Sequence, residues 1–378
     1  MPFGFLSRNN PLRIEPFYGF RNHERLYLTA RALRADETRF ADRGFVGNVA
    51  TMLGLYASQE VEGVEVRLTI TDSAGKPTVA TATSNAEGFV RFEIPFNDTL
   101  SLPMRTGWER GELQWDFEGG GEATAFILAP GRDAGLGVIS DIDDTIMETG
   151  ITGNVRAVAR NWKRVVAQMP SSREAVPGAP DFYSALGGAA GPENSADTLI
   201  PQPRPRPVFY VSSSPWNLFS YLVQFKRHSQ MPMGPILLRD WGFNTKTLGS
   251  EGHGSHKVDA IARIVNLYPE LRFALVGDSS QKDLPAFSAI AVKDPARIAA
   301  VFIRKVDDAE LSPELAAAAQ AVRDAGVPLW FGRNFTQARD FLEEAGLAMD
   351  AKVEGLVSTV SEGQPDGNPL DSPRKASL

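Results

Sequence analysis

The chain has 378 residues, 43% of them hydrophobic and 22% charged, which excludes collagen, coiled coil and wholesale disorder. A net charge of −7, from 39 Lys and Arg against 46 Asp and Glu, leaves no basic surplus to drive nucleic-acid binding. The absence of cysteine excludes disulfide scaffolds, thiol catalysis and cysteine-ligated metals, and only four histidines are present, so any chemistry falls to carboxylates, hydroxyls and lysines.

At about 100–200 residues per domain, the length suits two or three domains. No apolar run reaches the roughly 18 residues that span a bilayer. Met1 to Asn10 lacks the basic-then-apolar pattern of a secretory signal. The expected location is the cytoplasm, with peripheral membrane contact left open because it needs only a surface patch.

Residues 1–130 are expected to form a β-rich N-terminal unit. Val64, Val66, Leu68 and Ile70 alternate with polar residues, as do Val90, Phe92, Ile94 and Leu113, Trp115, Phe117. Period-2 alternation marks half-buried strands. Asp72–Gly75 and Asn85–Gly88 are turn signals. Short strands with Gly-containing turns predict a small antiparallel β-sandwich, a structural or binding module without a catalytic cluster.

From residue 131 to 350 the pattern changes. Leu136–Ser140, Val208–Val211, Phe273–Val276, Val301–Ile303 and Val327–Phe331 are short, mostly apolar runs. Such runs suit strands buried on both faces of a parallel sheet. Helical spacing lies between them, around Leu218–Phe225 and Val258–Val265, then at Leu315–Ala325 and Thr336–Ala345. The expected fold is α/β, with an open, mostly parallel Rossmann-like sheet following the sandwich. Residues 187–207, rich in Gly, Ala, Asn and Pro, read as a flexible insertion. Residues 351–378 read as a disordered tail.

The apolar runs end in polar clusters: Asp141-Ile-Asp143-Asp144-Thr145, Ser212-Ser-Ser-Pro215, and Asp278-Ser-Ser-Gln-Lys-Asp283. A parallel sheet places these ends on one edge, where ligands bind. Clustered carboxylates repel, and a divalent cation such as Mg²⁺ is the simplest neutraliser. Asp and Ser after a strand also serve as plain caps and turns, a reading that three polar strand ends together weaken. No calcium loop fits from Asp141, and no nucleotide P-loop is present. Lys257 opens the helix before the third strand and can face the same edge.

These motifs resemble the haloacid dehalogenase superfamily, through Asp141-Ile-Asp143-Asp144-Thr145, Ser212, Lys257, and Asp278 with Asp283. The phrases Ser140–Ile146, Phe209–Asn217, Leu237–Gly242, His256-Lys257 and Gly277–Asp283 narrow this. They look like the actin-patch-type phosphatidate phosphatases, in their bacterial branch, with a distantly lipin-like catalytic domain. The Gly usual after the second motif Asp is Asp144 here.

The resemblance implies a haloacid dehalogenase fold and a Mg²⁺-dependent phosphatase that hydrolyses phosphatidate to diacylglycerol and phosphate. Asp141 is then the nucleophile and Asp143 the proton donor and later base. Asp141, Asp278 and the backbone carbonyl of Asp143 would ligate the metal, with Asp283 a ligand or a group behind the ligands. Ser212 and Lys257 would hold the phosphoryl oxygens, Thr145 the loop and phosphate, and Arg239 the substrate or only Asp240. Trp216, Phe219, Trp241, Lys226-Arg227 and Arg204/Arg206 are candidates for membrane contact, although core packing and ordinary solvated faces suit them better. The alternatives are a soluble phosphomonoesterase of small metabolites and a non-catalytic lipid-binding module.

Overall fold

The computed structural model describes residues 10–34, 59–71, 77–96, 100–147, 175–188, 201–239, 252–280 and 282–349. The turn at 72–75, most of the 187–207 insertion, Asp240, Trp241 and the 351–378 tail fall wholly or largely outside this set.

Among the described residues, nine strands form the first sheet: β1 (Leu12–Pro16), β2 (Gly19–Arg21), β3 (Arg25–Arg34), β4 (Gln59–Glu60), β5 (Glu65–Thr71), β6 (Pro77–Thr83), β7 (Phe89–Pro95), β8 (Gly107–Trp115) and β9 (Gly121–Ala129). Their order is β1-β3-β2-β9-β8-β5-β6, with β4 and β7 also paired to β3. Alternate residues of β3 and β7 (Leu26, Leu28, Val90, Phe92) share one apolar cluster with those of β5, β8 and β9 (Val66, Leu68, Leu113, Ile127). The sheet therefore closes over a single core, as period-2 patterning demands. Pairing is antiparallel as expected, except for the parallel contact of β2 with β9. The described strands are linked by pairing into one continuous sheet whose two ends pack over the shared core. Phe117 is a correction. It leaves the strand for a 3-10 turn, Phe117–Gly119, and is 38% exposed.

The second sheet is parallel throughout: β10 (Leu136–Ser140), β11 (Val208–Pro215), β12 (Ile236–Arg239), β13 (Arg272–Asp278), β14 (Ile298–Arg304) and β15 (Leu329–Gly332), ordered β12-β11-β10-β13-β14-β15. Every residue of β10 and β14 is buried, which explains their unbroken apolar sequences. Among the described residues, six α-helices cover the two faces: α1 (Ala179–Gly187), α2 (Phe219–His228), α3 (Gly252–Leu267), α4 (Asp283–Lys293), α5 (Pro313–Asp324) and α6 (Ala338–Glu344). Val138, Tyr210, Val276 and Phe302 point to α1, α2 and α6. Ile139, Phe209, Leu275 and Ile303 point to α3, α4 and α5.

Chain order reverses between β10 and β13. The strands after β10 run outward to β12, and the chain then returns to β13 on the other side of β10. Ligands of open α/β sheets bind at such a switch point, beyond the strands' carboxyl ends. The two sheets also touch. Phe20 meets Phe209 edge-on at 5.8 Å, and Asn22 Nδ2 donates to Leu267 O at 3.0 Å. No described helix is long and apolar enough to cross a membrane.

Candidate active site

The ends of β10 and β13 bring Asp141 and Asp278 side by side, and Asp141 N continues the ladder to Val276 O at 2.8 Å. Asp283, the first residue of α4, folds back onto β13. Its Oδ2 accepts from Asp278 N at 3.0 Å, and its Oδ1 accepts from Lys257 Nζ. Gly277 permits this approach, because a Cβ there would lie 2.6 Å from Asp283 Cβ. Lys257, 2% exposed in α3, also donates to Asp141 Oδ1 at 2.7 Å.

Oxygens of Asp141, Asp278 and Asp283 thus lie within 4.8 Å of one another, all buried. Burial first, then the neighbouring acids with Asp283 foremost, hold the Asp141 and Asp278 carboxyls well above the usual carboxylate range, and Lys257 opposes this. Burial alone would lower the Lys257 ammonium, but Asp141 and Asp283 raise it well above the ordinary lysine range. One cation does not neutralise three acids. Asp141 Oδ2 is buried and meets no hydrogen-bond partner among the described residues. A hard divalent cation fits this donor set and that orphaned oxygen. Asp283 holds Lys257 and the end of β13 through its two oxygens, and the Asp278 oxygens accept from Ser280 N and Thr145 Oγ1.

Asp143, two residues from Asp141, sits in different surroundings. Its Oδ2 accepts from Ser212 Oγ at 2.8 Å and from Ser214 Oγ at 2.9 Å. Its carboxylate is thereby turned toward β11, and it is absent from the three-acid cluster. Ser212, expected on a phosphoryl oxygen, donates here to Asp143. Thr145 is fully buried, and its hydroxyl donates to Asp278 Oδ2 at 3.4 Å, so it orients an acid of the cluster. Arg239 ends β12, with its side chain outside the described residues.

Three supporting contacts escaped sequence reasoning. Ser214 shares a strand face with Ser212, a period-2 signal that was available. Arg304, at the end of β14, donates to Asp144 O at 2.7 Å. Asp144 has φ 58°, a left-handed conformation that accounts for Gly being usual there and that Asp tolerates. Ser140 Oγ donates to Asp141 O at 2.5 Å and pairs with Tyr183 OH on α1. The membrane-contact candidates are largely committed inward. Lys226 and Phe219 are buried, Trp216 stacks on Phe17, and Arg204 and Arg206 donate to backbone carbonyls.

Comparison with known proteins agrees with the phosphatidate phosphatase part of the motif reading. Residues 136–305 match the family model of the phosphatidate phosphatase APP1 catalytic domain. The matched segment spans the whole edge just described, from β10 to the first residue past β14. Phosphatidate phosphatase APP1 of Saccharomyces cerevisiae is 34% identical over 170 residues, covering 45% of this chain and 26% of that protein. An uncharacterised protein of Schizosaccharomyces pombe is 26% identical over 173 residues, covering 46% and 25%. The chain thus spans about a quarter of the length of these curated relatives. The resemblance to APP1-type phosphatidate phosphatases therefore holds over this segment. Among solved structures, a β-glucuronidase of Bifidobacterium dentium aligns at 12% identity over 85% of this chain and 52% of its own, with a TM-score of 0.24. Overlap that poor carries no argument.

Proposed function

We propose that the edge formed by β10, β11 and β13 is a Mg²⁺-dependent phosphatidate phosphatase site on a haloacid dehalogenase-type fold. The observation that carries this reading is the split between Asp141 and Asp143. One lies with Lys257 and two further acids, and the other lies between two hydroxyls. Paired acids in contrasting environments are how a site divides nucleophile from proton donor.

Asp141 Oδ2 attacks phosphorus, and the ester P–O bond breaks as the aspartyl phosphate forms. Asp143 gives its proton to the departing alkoxide. It then takes a proton from the water that cleaves the aspartyl phosphate, which regenerates Asp141 and releases phosphate. Lys257 stands where charge develops on the phosphoryl oxygens. Asp141 and Asp278 would hold Mg²⁺, together with the backbone carbonyl of Asp143, and Asp283 would hold Lys257 in place. The cation supplies charge neutralisation at the acid cluster and on the phosphoryl group. Arg239, on the adjacent strand, is proposed to reach substrate.

The phosphatase chemistry draws support from residues 141–283 as a set. The lipid substrate draws support from the relatives alone, and a peripheral encounter with the bilayer follows from it. The test is phosphate release from dispersed phosphatidate and from a panel of soluble sugar and nucleotide esters, each with Mg²⁺ or EDTA. Mg²⁺-dependent release from phosphatidate is expected. Release from soluble esters alone would favour a small-metabolite phosphatase, and release from none would leave a binding module.

A further inference from the structure

The family match begins at residue 136 and assigns no task to the first sheet. That sheet nevertheless reaches the candidate site at one place. Ser212 and Ser214, which orient Asp143, lie where β11 loses regular pairing. The ladder to β12 skips from Val211 to Pro215, and the ladder to β10 ends at Tyr210. Residues 212–214 are therefore held on neither side by a regular ladder. Ser214 N bonds Ser212 Oγ at 2.9 Å, and the chain runs straight from these two residues into the segment that follows.

That segment forms a 3-10 turn, Trp216–Leu218, and the start of α2. The first sheet grips this turn with three kinds of contact. Phe17 stacks on Trp216 with ring centroids 4.5 Å apart, meets Phe219 edge-on at 4.6 Å, and is itself 3% exposed. Arg31 Nη1 donates to Asn217 Oδ1 at 3.3 Å. Arg31 is pinned by Glu60 Oε1 at 2.8 Å and Glu87 O at 3.2 Å. Ser220 Oγ donates to Glu15 Oε1. Stacking, a charge-assisted hydrogen bond and a carboxylate contact thus converge on residues 216–220, two to six positions beyond Ser214.

We infer that the first sheet is a positioning element of the active site: through Phe17, Arg31 and Glu15 it holds the Trp216–Ser220 turn, and so fixes the Ser212 and Ser214 hydroxyls that aim Asp143. This rests on the reading of Asp143 as proton donor. Plain packing between two sheets would stabilise the fold but would not care which leaving group the substrate carries. A misaimed proton donor would. A poor alkoxide leaving group needs the proton, and 4-nitrophenolate leaves without it.

The experiment compares kcat/KM for an alkyl phosphate, glycerol phosphate or dispersed phosphatidate, with kcat/KM for 4-nitrophenyl phosphate. Both are measured on the full chain well below its melting temperature. Proton donation contributes about 10²–10⁴-fold, so a partial loss in Trp216→Ala should lower the alkyl ester about tenfold and the aryl ester less than about threefold. Trp216→Phe keeps a ring on Phe17 and should restore most of the alkyl rate. Asn217→Ala removes the Arg31 contact without opening a core cavity. It should show the same leaving-group bias to a smaller degree, and it serves if Trp216→Ala fails to fold. Leu68→Ala, in the far core of the same sheet, should lower stability with no bias. Equal losses on the two esters, or the same bias in Leu68→Ala, would overturn the inference alone. An inactive wild-type chain would overturn the phosphatase reading and this inference with it.

Discussion

In the first sheet, Arg21 is 2% exposed, and its guanidinium is fully spent. Nε and Nη2 bond Glu109 at 2.6 Å each, and the remaining donors reach Asn22 O, Leu100 O and Ser101 O. In the second sheet, three buried acids share one lysine, and Asp141 keeps an oxygen with no partner among the described residues. Both regions bury charge, which is costly. The first offsets the cost locally at Arg21, so that charge serves architecture. The second leaves the cost standing, and an uncompensated buried charge in a sheet-edge crevice marks chemistry.

The contrast is broken most sharply by Asp141→Asn. Under the proposed mechanism this removes the nucleophile, which costs about four orders of magnitude or more in turnover. The same change removes a repelling charge, so without metal the melting temperature should hold or rise. A large fall in melting temperature would place Asp141 among the architectural charges. Arg21→Ala should do the reverse, costing about 2–3 kcal/mol in denaturant unfolding through its lost charge-assisted bonds. Its kcat should stay near wild type while the chain is folded.

A gentler probe is pH. Asp141 and Asp278 are raised in the folded chain, by burial first and Asp283 next. Above about pH 4 the unfolded chain gives up these protons while the folded chain retains them. Stability in EDTA should therefore fall as pH rises through the ordinary carboxylate range toward the raised folded values. Saturating Mg²⁺ should flatten that slope, because it replaces the protons. A slope equally steep with and without Mg²⁺ would count against the metal site.

The smallest effect belongs to Lys226, buried on α2. Among described residues its Nζ meets Gly234 O at 3.4 Å and the Tyr210 ring at 3.9 Å. Burial, then Arg227, lowers its ammonium well below the usual lysine range. The unfolded chain binds this proton up to about pH 10.4, so stability should rise with pH toward that value. Lys226→Met should gain about 1 kcal/mol at neutral pH, and the gain should shrink as pH approaches 10. Thermal melts of both chains across that range check it.

Strands buried on both faces were legible because their sequences are unbroken. Val208–Val211 and Phe273–Val276 sit inside β11 and β13, and Leu136–Ser140 is β10 itself. The polar residues that end these runs meet at one edge because parallel strands share a direction. β6 was not legible. It is an edge strand of Thr, Ala and Val with no buried residue, so it carries little apolar contrast. The partners of the site residues were also hidden. Lys257 is 116 residues from Asp141, and Arg304 is 160 from Asp144. No local pattern encodes a pairing set by sheet order. Asp283 could be placed near the cluster, but its use of both oxygens to hold Lys257 and β13 follows only from the backward fold of α4.

β10, placed between β11 and β13, also sets when activity can first exist. Its partners begin at Val208 and Arg272, far down the chain from Leu136. Closing such long loops is slow compared with forming helices or hairpins. Helical content should thus return early after dilution from denaturant, and turnover only when both ladders have closed. Enzymatic rate then becomes a clock for the last assembly step of the parallel sheet.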